Sequence, residues 1–405
     1  MALRAPAILV ALALCACDVE PIATGSGGVD ADHGLVALLS DYTSVQIALL
    51  SPEGNVLSES FLSSGSAPTS GLAFAFSGDT VLPSSPSPSG EVVLIDRFGT
   101  NVISWANPRT AEVRTQLAVG TGFESNPRDY LELSPSKAYV SRWGENSRAG
   151  TEPFDSGGNL LVIDPSAPAI TGSIELPRVD DVPPRPSGLT LLGSTAIVVL
   201  QRISRDFQVT AESQLVAVDI ATDRVAWTLP IAGLKGCGRA TPSLSRERLV
   251  VACSGQIDTR GELADQSGTA IVVFDASVQP PAEIRRFGHD VIGSSVQPEI
   301  ALVGDELVLA KTQTALGGDA SNRLFSLDLE SGAVVVLRTA SLDAEGEGKG
   351  LTYGGLYCSS TLTICLLADA DRGTLRRFWV AGDVSEIAEV TIGGAGLPPL
   401  QIGGY

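Results

Sequence analysis

One motif recurs along the chain at a nearly constant period. An alternating apolar run ends in Asp or a stand-in, a turn follows, and a second apolar run begins: VISWANPRTAEV, LLVIDPSAPAI, LVAVDIATDRV, IVVFDASVQPP and LFSLDLESGAV, with weaker copies IALLSPEGNVL and RFWVAGDVSEI. The Asp-like position falls at Ser51, Asn107, Asp164, Asp219, Asp275, Asp328 and Ala381, at intervals of 56, 57, 55, 56, 53 and 53. Seven copies of about 50 residues, each with four short strands, predict radial repetition: an all-β, seven-bladed β-propeller of four-stranded antiparallel blades. The anchors read as turn residues, because an Asp or Asn side chain bonds backbone NH groups two residues on. The 43 glycines, 24 prolines and 5% aromatics of the 405 residues suit a chain this rich in turns.

In the third unit, strands are expected at Tyr130–Leu133, Ala138–Arg142, Leu160–Asp164 and Gly172–Leu176, with Ser134-Pro135-Ser136 turning between the first two. Pro127 followed by SPSKAYVS, LLVID and TGSIELP resembles the YVTN-type repeat of bacterial surface-layer propellers. The sequence departs from that family at Ser136, where an Asp-Gly turn is favoured, and at Ser141-Arg142 after the Tyr-Val. The likeness reaches all seven units as a pattern and the third and fourth as a motif. It implies the architecture and carries little function, because propellers host binding, scaffolding and several enzyme chemistries. The first unit holds only three strands, Val36–Leu39, Val45–Leu50 and Val56–Phe61, before the second begins near Gly71. The tail GLPPLQIGGY, residues 396–405, is therefore expected to complete the first blade and remove the unpaired edges of an open ring.

The start of the chain reads as an address. Arg4, the apolar stretch Ala5–Leu14 and the segment Leu14-Cys15-Ala16-Cys17 resemble a bacterial lipoprotein signal, with Leu14 three before and Ala16 just before the cysteine that is acylated. The resemblance implies a signal peptide at residues 1–16, lipidation of Cys17, a flexible tether at 17–33 and the propeller at 34–405. The apolar run is far shorter than the roughly 20 residues that span a bilayer. The expected location is the bacterial cell envelope, lipid-anchored on the periplasmic side or the cell surface, with the membrane as a partner. The remaining cysteines agree with export. Cys237 and Cys253 flank a turn centred on Ser245, and Cys358 and Cys365 flank Thr361-Leu362, so each pair is expected to face across a hairpin as a disulfide. A four-cysteine zinc site is the competing reading, but no C-x-x-C spacing occurs.

In a propeller, the connections from second to third strand share one face with those between blades. Units three to six carry long insertions there: GENSRAGTEPFDSGG, ISRDFQVTAE, GQIDTRGELADQSG and QTALGGDASN. Cations gather on the same face. Arg128, Arg185 and Arg239 enter first strands, while Arg142, Arg202 and Lys311 leave second strands. In a chain with Lys+Arg 27 against Asp+Glu 46, net charge -19, such a set can bind a carboxylate, a phosphate or a sulfated glycan. The competing reading pairs each cation with a nearby acid such as Asp129, Glu145, Asp206 or Asp258. The acidity excludes a general nucleic-acid binder.

Signals for catalysis are sparse. The two histidines are His33, in the tether, and His289, in FGHD; neither an H-E-x-x-H nor a G-x-S-x-G elbow occurs, and GEGKG near Lys349 lacks the spacing of a phosphate loop. DADHG and DADRG, with Asp30, Asp32, Asp369 and Asp371, resemble calcium loops without their remaining ligands, so calcium is considered and no cofactor is expected. The segment AVDIATDRVAW, with Asp219 and Trp227, resembles one quinoprotein docking repeat, present here in a single copy. The expected function is a binding or scaffold module whose partner is an envelope protein, an anionic glycan or a small molecule. The alternatives are a lactonase- or hydrolase-like enzyme with a metal in the central channel, and a structural envelope protein.

Overall fold

The computed structural model describes residues 34–66, 71–150, 152–179, 181–257, 263–313, 322–340, 353–359, 362–381, 383–393 and 396–405. It is a closed ring of seven four-stranded antiparallel sheets. The innermost strands of blades 1 to 7 are Pro399–Gly404, Thr80–Val81, Pro127–Ser134, Pro186–Leu192, Cys237–Pro242, Ser295–Val303 and Tyr353–Cys358. Blade 1 continues outward through Leu35–Ser40, Val45–Leu50 and Val56–Ser63, so the C-terminal strand pairs with the first strand of the chain, from Leu35↔Gly404 to Leu39↔Pro399. The expected closure is present.

Alternation explains why the middle strands read as unbroken apolar runs. In blade 2, Val92 and Leu94 point into the cluster shared with blade 1, while Val93 and Ile95 point into the cluster shared with blade 3. Side chains alternate across a strand, and here both faces of each sheet are covered by a neighbouring blade. The core is thus seven apolar seams, the last joining Leu366, Ala368 and Leu375 of blade 7 to Leu35, Ala37 and Leu39 of blade 1. Outermost strands expose every second residue, as in Ala169–Ile174.

The seven repeat anchors all sit where the third strand ends. Asp164 accepts from the Ser166 and Ala167 amides at 2.9 and 3.2 Å, Asp219 from the Thr222 amide at 2.8 Å, Asp328 from the Ser331 amide at 2.6 Å, and Asn107 from the Arg109 amide at 2.9 Å. Hydrogen bonds from neighbouring hydroxyls and amides hold the carboxyls of Asp164, Asp219, Asp275 and Asp328 below the usual range. They are turn residues, as expected. Cys237 faces Cys253 and Cys358 faces Cys365 in register, and both pairs form disulfides.

Three details differ from expectation. The outer strand of blade 3 is Ala169–Ile174, earlier than expected, and its pairing carries a bulge opposite Val162/Ile163. Blade 2 starts later than Gly71 and its inner strand is only two residues long, because Pro83 follows and the Leu82 amide donates to the Gln401 side chain instead of a ladder partner. The long insertions fold back on themselves: Glu145 bridges Gly157, Ile203 bridges Thr210, and the second and third strands of blade 5 lengthen to Arg248–Ile257 and Leu263–Asp275. Residues 1–33 with Cys17, and also Asp258, Lys349 and 314–321, lie outside the described residues. No helix among the described residues is long and apolar enough to cross a membrane.

Candidate functional site

The inner strands converge so closely that some positions admit no side chain. A Cβ on Gly354 would lie 2.6 Å from the Leu400 carbonyl oxygen, and one on Gly238 would overlap the Pro298 carbonyl. This approach frames a cavity of about 680 Å³ on the axis. Its walls come from the upstream ends of the inner strands, including Arg128, Ser187, Arg239, Gln297 and Tyr353, and from the downstream ends of second strands, including Arg97, Gln201 and Lys311. The cavity therefore opens on the face that carries the inserted connections.

Four cations and two carboxylates line it, a surplus of two positive charges in an acidic protein. Lys311 Nζ lies 2.8 Å from Glu299 Oε2 and also donates to the Gly354 carbonyl. Arg97 pairs with Asp79. Arg128 and Arg239 differ from both, since the side chain of neither has a hydrogen bond or ion pair among the described residues. Arg128 lies against the Trp143 ring, 5.3 Å from its centroid, and its Nε is buried without a partner. Burial pulls its pKa down to about 10; repulsion from Arg97 and Arg185 adds to this and Asp79 opposes it. It stays charged at neutral pH. Thr241, whose buried Oγ1 also lacks a partner, lines the same cavity.

The structure thus brings Arg128, Arg239 and Lys311 together, and sends the other three sequence candidates elsewhere. Arg142 is fully buried within blade 3, donating to Asn159 Oδ1 at 3.0 Å, Thr121 Oγ1 at 2.7 Å and the Phe154 carbonyl at 2.6 Å. Arg185 donates to the Trp143 and Ile203 carbonyls at 3.0 and 3.1 Å and stacks 3.9 Å from the Trp143 ring. Arg202 is buried and donates to Gln214. Burial lowers the pKa of all three, to about 10 for Arg142 and Arg185. None of them lines the cavity.

Among the described acids weighed as partners for the six cations, none forms an ion pair with them, although Asp129 and Arg239 attract each other. Asp129 accepts the amides of Ser84 at 2.8 Å and Leu189 at 2.6 Å, clasping blades 2, 3 and 4. Glu145 holds Arg178 and Arg205, and Asp206 accepts from Ser204 Oγ at 2.6 Å. Asp369, in the calcium-like segment, accepts from Arg376 Nε at 2.8 Å, and His289 heads an exposed one-turn helix between blades 5 and 6. No group of three side chains suited to a metal occurs among the described residues. Sequence reasoning missed Arg97, although it follows a second strand as Arg142 does, and it missed Asp79, Glu299, Thr241 and the bracing Trp143, which carry no local signal.

No protein-family model matches the chain, and no curated protein matches it in sequence. Solved structures do match in shape. A candidate 6-phosphogluconolactonase from Bacteroides fragilis is 12% identical with a TM-score of 0.55, covering 91% of this chain and 97% of that one. The periplasmic gluconolactonase of Pseudomonas aeruginosa is 12% identical with a TM-score of 0.54, covering 91% and 98%. A β-propeller domain from Myceliophteria thermophila is 12% identical with a TM-score of 0.55, covering 88% and 99%. At such identities the similarity is one of fold, and that fold is the seven-bladed β-propeller.

Proposed function

We propose that the protein is an extracytoplasmic binding module, tethered to a membrane through a lipid on Cys17, that takes an anionic ligand in the channel cavity. Its ligand is a small molecule or the end of an anionic glycan carrying a carboxylate or phosphate. The observation that carries this reading is the pair Arg128 and Arg239, two guanidinium groups on one ligand-sized cavity that form no side-chain hydrogen bond or ion pair among the described residues. Asp79 and Asp129 attract these two cations without bonding to them, and an oxyanion supplies the fork-matched acceptor that each group lacks. The two disulfides suit an oxidising compartment outside the cytoplasm.

Isothermal titration of the purified protein with inorganic phosphate at low salt tests the site. The expected outcome is binding that weakens as salt rises and disappears in the double variant Arg128→Gln/Arg239→Gln. Equal binding by the variant would remove the proposal. The lactonases among the similar structures favour a second reading, hydrolysis of a sugar lactone; turnover of gluconolactone above its spontaneous rate would establish that instead.

A further inference from the structure

The cavity wall is not uniform around the ring. Arg128 and Arg239, the two lining cations with no ion pair among the described residues, stand on blades 3 and 5, with the small residues Ser187 and Gly188 of blade 4 between them. In a closed ring of seven, blades 7 and 1 lie across the axis from blades 3, 4 and 5. That far wall is apolar and aromatic: half-buried Leu400 on blade 1 and Tyr357 on blade 7, flanked by half-buried Leu82 of blade 2, with exposed Tyr42 from a blade 1 connection. Much of the polar wall chemistry is already engaged. Gln401 accepts from the Leu82 amide at 2.8 Å, Gln201 from Trp143 Nε1 at 3.0 Å, and Ser187 Oγ donates to the Val199 carbonyl at 3.2 Å. Facing the arginines, the side chains of Leu82 and Leu400 and the ring of Tyr357 give a body of hydroxyls no hydrogen bond.

Resting on the anion-binding reading, we infer that the ligand is an amphipathic anion: a phosphate or carboxylate head held by Arg128 and Arg239, with an apolar ring or short acyl body against Leu82, Tyr357 and Leu400. A densely hydroxylated body would lose its water on the apolar wall and regain few hydrogen bonds there, whereas an apolar body gains by leaving water.

Three probes with one head and different bodies separate the cases: inorganic phosphate, glucose 6-phosphate and phenyl phosphate, titrated calorimetrically into the full chain. Phenyl phosphate is expected to bind about tenfold tighter than the other two. The variant Leu82→Asn/Leu400→Asn is expected to erase that preference and leave inorganic phosphate binding as it was. If it fails to fold, the ranking of the three probes on the unmodified protein still decides. Glucose 6-phosphate binding as tightly as phenyl phosphate, with Arg128→Gln/Arg239→Gln still abolishing both, overturns the amphipathic ligand and keeps the anion site. No binding of any probe, or no effect of the arginine substitutions, overturns both.

Discussion

The seam that closes the ring and the seams flanking blade 3 hold their blades by different means. Where blade 7 meets blade 1, Leu35, Ala37, Leu39, Leu366, Ala368, Leu375 and Ile402 form an apolar layer, and within blade 1 the strand Pro399–Gly404 pairs with Leu35–Ser40. Around blade 3, apolar layers are present as well, but buried charges cross from blade to blade. Asp129 takes amides from blades 2 and 4, and Arg185, on the way into blade 4, donates to the Trp143 carbonyl of blade 3. The first arrangement depends on ladder pairing and apolar area, and the second on charged side chains standing in for missing backbone partners. It is beside the second arrangement that two arginines are left over, and there that the cavity gains its charge.

Cutting residues 396–405 attacks the first arrangement directly and is expected to have the largest effect. It removes the innermost strand of blade 1 and bares an edge, a loss on the order of 5 kcal/mol or more, comparable to the whole stability of a domain. Insolubility or collapse of the melting transition in calorimetry is the expected result. A truncated protein that melts as before would break the comparison, because the ring would not need its stitch.

Arg142→Met and Arg128→Met sharpen the second half. Removing Arg142 leaves Asn159 Oδ1 and the Phe154 carbonyl without their buried donor, which costs about 3 kcal/mol. Arg128 makes no such bonds, so its substitution is expected to cost clearly less stability than that of Arg142 while abolishing anion binding. Urea denaturation of both variants checks the order; a reversed order would mean that Arg128 is structural and that the charge in the cavity is incidental.

This contrast also marks what the sequence could disclose. The closing strand was legible because Leu397-Pro398-Pro399-Leu400-Gln401-Ile402 has the look of a strand opening and the first unit is one strand short. The anchors Asn107, Asp164, Asp219, Asp275 and Asp328 were legible because an Asx turn is a local device. Arg128, Arg142, Arg185, Arg202, Arg239 and Lys311 were legible only as cations at strand ends facing one way. Whether each meets a carbonyl, an aromatic face, a carboxylate or an open cavity depends on chain 12 to 43 residues away. Arg142 reaches Val119 and Phe154, Lys311 reaches Gly354, and Arg128 packs on a tryptophan that is itself held by Arg185. Nothing in the local pattern separates these fates.

The smallest expected effect sets the two kinds of aspartate against each other. The Asp219 carboxyl is held low by hydrogen bonds from Thr222, its hydroxyl first and then its amide. Its contribution is present above the unfolded value of about 3.9 and is lost as pH falls through its lower folded pKa. Asp129 has the opposite sign: burial raises it against the hydrogen bonds from Ser84 and Leu189, so the folded state holds its proton more tightly and stability from this group grows as pH falls toward 3.9. Melting temperatures across pH 7 to about 2 should therefore diverge between two variants. The deficit of Asp219→Ala should shrink in acid, while that of Asp129→Asn should widen from its folded pKa down to about 3.9. If both deficits move the same way with pH, Asp129 is not the buried clasp of blades 2 to 4, and the distinction between the two seams loses its electrostatic basis.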